Sequence, residues 1–293
     1  MGSPRISYLV VLCRLATVVT LAACVLPAAE RTPIDAAFAR LYASDYAAAH
    51  RIVDEHLKQE PGDPMGHAVR AAALLFAELD RLMILEAEFF ADDKRLAEQK
   101  NLKPDAAVRA RFQAAVAETQ RTAAARLSRD GSDKLALFAQ SLAAGLLSDY
   151  AALIDKKLIG TLGYARQSQA YAVQLLKLDP NFADAYLAGG VTEYILGSLP
   201  FFVRWFVRVE GTDGNKRAAV AKLERVAAEG RYLGPFAKIV LSLIHLREKR
   251  PRESQRLLSE LAREYPDNPL IRKELGKISA KLQSGELVQG GTR

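Results

Sequence analysis

Apolar residues recur along most of the chain at i, i+3 and i+4, the spacing of one face of an α-helix. Strict alternation of apolar and polar residues, which is typical of strands, rarely lasts more than four residues. We therefore predict an all-α fold. Pro61, Pro180 and Pro266 separate periodic segments, because proline cannot continue the hydrogen-bond ladder of a helix and restricts the residue before it.

The periodic segments group into five pairs of helices and one further helix. The pairs are placed at residues 34–60, 64–129, 133–179, 182–230 and 233–265, and a last helix at Pro269–Leu282 closes the series. The second pair is expected to contain two longer helices, broken near Asn101 to Pro104. Residues 34–283 are interpreted as one helical domain, and residues 284–293 as a flexible tail.

Three of the five units share a rhythm of small, aromatic and proline positions. The first unit has Asp45, Tyr46, Ala49 and Pro61, the third ends in Pro180, and the remaining matching positions are Ala183, Tyr186, Leu258, Leu261 and Pro266. This rhythm resembles the tetratricopeptide repeat, a pair of antiparallel helices of about 34 residues. The spacing is not uniform, because Pro61 and Pro180 lie 119 residues apart.

The resemblance implies an α-solenoid, a curved stack of about five helix pairs with a C-terminal capping helix. An isolated pair cannot bury its apolar stripe, so stacking against neighbours supplies most of the stability. Tetratricopeptide proteins bind a peptide or a partner protein on the concave face, which the first helix of each pair lines. A protein partner is therefore expected for this chain.

The amino terminus has the pattern of a secretory leader. Arg5 and Arg14 precede a short apolar run, and the uncharged stretch from Leu15 to Ala29 is too short to span a bilayer comfortably. Leu21-Ala22-Ala23-Cys24 resembles the bacterial lipobox. The prediction is a lipoprotein signal peptide at residues 1–23, a lipidated Cys24 and a linker at residues 24–33. The alternative is an ordinary leader and a soluble periplasmic or secreted protein.

Charge and cysteine content narrow the classes of function. The formal charge is +7, or about +5 without the two leader arginines, and it is spread over many helices. No basic run is interleaved with aromatic residues, so nucleic-acid binding is not expected. Cys13 and Cys24 are the only cysteines, and Cys13 would leave with the leader, so no disulfide framework is expected. Cys24 is then explained as an acyl acceptor that holds the protein on a membrane.

The chain offers little catalytic chemistry. His50 and His56 do not share one helix face as the two histidines of a zinc motif do, and both are interpreted as surface residues. His245 is expected to be packed or at an edge. The stretch EGTDGNKR lacks the spacing of a phosphate loop and is interpreted as a turn capping a helix that ends at Gly230. No enzyme activity, cofactor or metal is predicted.

The stretch LPFFVRWFVRVEG, Leu199 to Gly211, is the most apolar piece after the leader. Three interpretations compete: a helix packed on its neighbours, a ligand or partner site, and a membrane contact beside the lipid anchor. Gly189 and Gly190 on the preceding helix favour the first, with bulky aromatics expected to pack on their backbone. The candidate binding residues are Tyr186, Tyr194, Phe202, Arg204, Trp205 and Arg208.

The sequence therefore predicts a non-catalytic scaffold of the bacterial envelope. It would face the periplasm and bind a protein partner during envelope assembly, secretion or transport, an expectation that rests on family analogy. The alternative is a helical ligand-binding protein, with a cavity near residues 186–208 for a small apolar or anionic molecule.

Overall fold

The computed structural model describes residues 32–85, 103–198 and 215–287. Within these ranges the chain forms eleven α-helices and one short 3-10 helix and contains no strand, so the all-α prediction is confirmed. The helices are α1 Pro33–Tyr42, α2 Tyr46–Gln59, α3 Pro64–Arg81, α4 Ala106–Leu127, α5 Lys134–Leu153, α6 Leu158–Leu178, α7 Tyr186–Ser198, α8 Lys216–Glu229, α9 Gly234–Arg247, α10 Pro251–Glu264 and α11 Pro269–Gln283.

Short polar side chains set where most of these helices begin. At the start of α1, Thr32 accepts a hydrogen bond from the backbone of Asp35 while the Asp35 carboxylate accepts one from the backbone of Thr32. Such a reciprocal pair satisfies N–H groups that have no partner within the helix. Single Asp or Asn caps begin α2, α3, α4, α5, α8 and α11: Asp45, Asp63, Asp105, Asp133, Asn215 and Asn268.

Three of the turns between paired helices have the same left-handed geometry. α1, α3 and α9 are followed by Ser44, Met83 and Lys249 at φ 59°, 58° and 56°. In each turn a backbone N–H reaches back to a carbonyl five residues earlier, for example from Asp45 to Arg40 at 2.9 Å. This is the Schellman ending, in which the left-handed residue is usually glycine. None of the three is glycine, so each turn carries some backbone strain.

Helices adjacent in sequence pack against one another throughout the described chain. The closest associations include α1 with α2, α3 with α4, α5 with α6, α7 with α8 and α9 with α10; α3 also packs against α1 and α5. A large core extends from α1 to the start of α9, and two smaller cores lie around α7–α10 and α9–α11. The helices that were predicted to pair therefore do pack against their neighbours in the chain.

The first helix also contacts the last part of the chain. The Tyr42 hydroxyl donates a hydrogen bond to the Tyr232 carbonyl at 2.8 Å, and the Asn268 side chain donates one to the Tyr42 carbonyl at 2.8 Å. Arg231 makes a bidentate ion pair with the Asp35 carboxylate, with N–O distances of 2.9 and 2.7 Å. In an open solenoid each repeat would contact only its neighbours, whereas α1 here also contacts residues far along the chain.

One expectation requires correction. The first long helix of the second pair ends at Arg81, because the turn at Leu82 and Met83 stops it; the break at Asn101 lies outside the described residues.

α5 is long and apolar enough to cross a membrane, and it is the one such helix in the described part of the chain. Most of α5 is buried within the protein, as expected for a core helix.

Candidate functional site

Tyr194, a predicted binding residue, lies near the end of α7 and is 8% exposed. Its ring packs with Ala219, Leu223 and Ile244. Its hydroxyl donates to the Glu248 carboxylate at 3.0 Å, and Lys216 bonds the same oxygen at 2.8 Å. Burial, followed by the hydrogen bond to Glu248, raises the pKa of Tyr194 to about 12. Tyr194 therefore joins the ends of α7, α8 and α9, and its predicted role in binding stays a prediction.

Tyr186, the second described candidate, begins α7 and is partly buried. Its hydroxyl donates to the Pro180 carbonyl at 3.0 Å, and the Arg225 guanidinium lies 4.5 Å from the ring centre. Eight residues of helix rise separate it from Tyr194, a distance of about 12 Å. The two tyrosines therefore belong to opposite ends of α7 rather than to one small site.

The glycines beside these tyrosines lie against side chains of neighbouring helices. A Cβ added to Gly190 would lie 2.8 Å from Leu223 of α8, and one added to Gly189 would lie 3.2 Å from the Gln169 side chain of α6. The predicted packing of the Leu199–Gly211 aromatics on these glycines lies outside the described residues. Small residues are needed here because α7 approaches its neighbours closely.

The remaining candidate residues lie outside the described ranges. These are the lipidation candidate Cys24 and the connection residues Phe202, Arg204, Trp205 and Arg208. The three interpretations of Leu199–Gly211 stay predictions for the same reason. Asn215 does cap α8, because its side chain accepts hydrogen bonds from the backbone of Arg217 and Ala218. α8 ends with Gly230 as its C-cap, as expected.

Asp184 is a buried carboxylate that the sequence did not single out. It is 4% exposed and accepts hydrogen bonds from the backbone N–H groups of Arg231, Tyr232 and Leu233 at 3.0, 3.0 and 2.7 Å. Burial raises the pKa of Asp184, and the three donors oppose that rise by stabilising the ionised form. Gly230 precedes this loop, and a Cβ there would lie 2.5 Å from the Val226 carbonyl.

The loop held by Asp184 presents Tyr232 to an aromatic cluster. The Tyr232 ring centre lies 5.3 Å from that of Phe38 and 5.8 Å from that of Phe138. Phe138 in turn lies 5.1 Å from Phe182. These residues come from α1, α5 and two loops, so the aromatic cluster fills the space between the first helix and later parts of the chain. The rings of Phe38, Phe138 and Tyr232 are buried, so this cluster presents no open face to a peptide.

Asp149 is the most perturbed acid among the described residues. It lies near the end of the apolar helix α5 and is partly buried, and desolvation raises its pKa from 3.8 to about 7. A carboxyl with such a pKa can hold or release a proton near neutral pH. A sequence signal existed, since Asp149 is the one acid of KLALFAQSLAAGLLSDYAAL, but an acid in an apolar helix can equally well point to solvent.

The histidines are tied to local structure. His56 lies 2.7 Å from Asp63, the cap of α3, and its side chain is only 15% exposed. His50 is partly buried, and desolvation lowers its pKa, so the expectation of two surface histidines is wrong. His245 is buried, as expected. Among the described residues no three His, Cys, Asp or Glu side chains lie close enough to hold a metal ion.

A shallow groove lies between α10 and α11. Its volume is about 300 Å³, and it is lined by Arg252, Gln255, Ser279, Leu282 and Gln283. Gln255 donates to the Ser279 hydroxyl at 2.9 Å across the groove. The groove is open to solvent and lies far along the chain from the predicted cavity at residues 186–208.

Comparison with protein-family models, with curated proteins and with solved structures finds no match to this chain.

Proposed function

We propose that this chain is a tetratricopeptide-like scaffold of the bacterial envelope that docks a partner protein and catalyses no reaction. The observation that carries the proposal is the recurrence of one turn. The left-handed residues Ser44, Met83 and Lys249 each end the first helix of a pair, and each pair packs on the next. Recurrence of one supersecondary unit along a chain is typical of repeat proteins, which present extended binding surfaces.

The eleven helices of the described residues can be taken as the pairs α1–α2, α3–α4, α5–α6, α7–α8 and α9–α10 followed by α11, and this order supports the proposal of a helical repeat. Hydrogen bonds join α1 to the loop at Arg231 to Leu233, and the aromatic cluster packs between them. We propose that a partner docks away from this cluster. The candidate contact residues are Phe202, Arg204, Trp205 and Arg208.

The envelope location rests on the leader. Acylation of Cys24 would tether the helical domain, which starts at Pro33, to a membrane through a short linker. One acyl chain gives only marginal binding, so a stable anchor needs more than one chain or a second contact. We expect Cys24→Ala to abolish acyl labelling and to release the protein from membranes, as followed by fractionation. Unchanged partitioning of the variant would refute lipidation.

The docking proposal is tested by affinity capture from the organism's own envelope. We expect specific proteins to co-purify with the wild-type chain and to be lost with the double variant Arg204→Ala/Trp205→Ala. A matched control is Arg51→Ala, which removes an exposed arginine from α2. Circular dichroism must show that all variants are folded. If the double variant captured the same proteins as the wild type, the stretch Leu199–Gly211 would not be the docking site.

The alternative is a ligand-binding protein with a cavity near residues 186–208. Tyr194 is packed in a core, and Gly189 and Gly190 are covered by neighbouring side chains, so the described part of this region offers little to support a cavity. Native mass spectrometry of the purified protein would detect a retained small molecule. A bound molecule that is lost in Trp205→Ala would favour the alternative over docking.

A further inference from the structure

The first helix is attached to the rest of the fold by contacts that a second copy could make equally well. Asp35 of α1 pairs with Arg231, and Tyr42 of α1 bonds both Tyr232 and Asn268. These partners lie 190 to 226 residues away from α1 in sequence. The chain connection between α1 and α2 plays no part in these contacts, so α1 of another molecule could satisfy them without changing any of them.

The connection between α1 and α2 is also strained. It consists of Ala43, Ser44 and Asp45, and Ser44 has φ 59°, where a residue with a Cβ is unfavourable. No glycine or proline occurs from Ile34 to Gln59, so α1, the connection and α2 could run as one continuous helix. Short hinges under strain favour exchange of the element that they attach.

We propose that this chain forms a dimer by exchange of α1. In the dimer the hinge at Ala43–Asp45 is helical, and α1 of each molecule binds Arg231, Tyr232 and Asn268 of the other. Both strained Ser44 residues are then relieved. The exchange loses the hydrogen bond that the Asp45 carboxylate accepts from Ala48 at 2.9 Å and the turn bonds from Ser44 to Leu41 and from Asp45 to Arg40. The helical bonds across the hinge compensate for them. A two-fold dimer of this kind closes without leaving a free exchange site.

The Asp35–Arg231 pair provides a direct test. The Arg231 side chain is half exposed, so reversal of its charge should weaken the attachment of α1 without disturbing the core. Asp35→Arg also removes the reciprocal cap of α1, a loss that is the same in monomer and dimer. Chains with Asp35→Arg alone, or Arg231→Asp alone, have two like charges at this position in any monomer or homodimer. When the two chains are mixed, exchange of α1 between them restores opposite charges at both sites. Like charges held this close repel, whereas the mixed pair attracts.

The readout is native mass spectrometry of the full chain after brief incubation in mild urea and return to buffer. We expect the mixture to form at least tenfold more heterodimer than either variant forms homodimer. The chain with both reversals should dimerise as the wild type does, and it should avoid heterodimers with the wild type. Monomers only in the mixture, or dimers with no dependence on charge, would overturn the proposal.

The hinge gives a second measurement that keeps the wild-type interface. Ser44→Gly relieves the strain in the monomer, because glycine adopts positive φ freely, and it weakens a continuous helix. We expect the dimerisation constant to fall at least tenfold, whereas Ser44→Ala, which keeps the Cβ, should leave it the same or raise it. An unchanged constant in Ser44→Gly would refute the role of the hinge. These measurements use purified protein alone, so their outcome is independent of the docking proposal.

Discussion

Asp149→Asn should make the fold more stable at neutral pH. Burial raises the pKa of Asp149 from 3.8 to about 7, which means that the folded state holds its proton more tightly than the unfolded chain does. Below about pH 4 both states are protonated and the residue contributes nothing. Between pH 4 and 7 the unfolded chain ionises first, so stability falls as pH rises. Above pH 7 the full cost of the buried charge is present.

The magnitude follows from the size of this shift. A rise of about 3 pKa units corresponds to about 4 kcal/mol at 1.36 kcal/mol per unit. Asp149 is only partly buried, so nearby water reduces the cost of ionisation and we expect about 2 kcal/mol. Asparagine has nearly the same shape and carries no charge. The variant should therefore gain about 2 kcal/mol at pH 8 and little or nothing at pH 4.

Urea unfolding followed by circular dichroism across pH 4 to 8 measures this difference. Other acids change the stability on the acid side of this range: the pKa of Asp35 is lowered to about 2, first by its hydrogen bond to Arg231, so the stability that Asp35 contributes is lost as the pH falls below about 4. Subtracting the variant's stability from that of the wild type at each pH isolates Asp149. Asp267→Asn, at an exposed turn, is the control for the chemical change from Asp to Asn. A stability difference for Asp149→Asn that does not change between pH 4 and 8 would refute the reasoning.

Three further changes test the packing and the turns. Lys249→Gly should raise the free energy of unfolding by about 1 kcal/mol, because Lys249 is exposed and its φ of 56° is unfavourable for a residue with a Cβ. Lys249→Ala keeps the Cβ and should bring no such gain. Equal melting temperatures for the two variants would contradict the proposed strain. Gly190→Ala should cost about 1–3 kcal/mol in chemical denaturation, because its Cβ would meet Leu223 at 2.8 Å. By contrast, a Cβ at Gly163 would lie in open space, so Gly163→Ala should raise the free energy of unfolding by up to about 1 kcal/mol. If the two alanine variants changed the stability in the same direction, the packing argument would be refuted. Asp184→Ala leaves three backbone N–H groups, two of them buried, without their acceptor and should cost about 3 kcal/mol or more by thermal unfolding, while a neutral effect would contradict this cost.

Helix positions were largely predictable because the interactions that set them are local. The predicted pairs at 34–60, 133–179 and 233–265 agree closely with the observed helices. Asn215 was predicted as a cap, and it bonds backbone groups two and three residues away. The error in the second pair has a local cause too, because the stop after Arg81 uses Met83 in a left-handed conformation. A methionine gives no sequence signal for such a turn.

The candidate site was less predictable because its residues are distant in sequence. Gly189 and Gly190 were recognised as unusual, yet their neighbours Gln169 and Leu223 come from other helices. Tyr194 was chosen as a candidate binding residue, but its ring is buried against α8 and α9. The same residue type serves a core and a binding surface equally well. Only the helices packed around it decide which of the two applies.

The sequence by itself determined an all-α chain of paired helices, because helical periodicity and caps depend on groups within about four residues of one another. Tertiary structure alone decided that Tyr42 bonds Tyr232 and Asn268, that the Tyr232 ring packs with Phe138, and that burial raises the pKa of Asp149. Each of these depends on helices brought together across long stretches of chain. The periodic pattern states that a helix has an apolar face but does not state which helix will cover it.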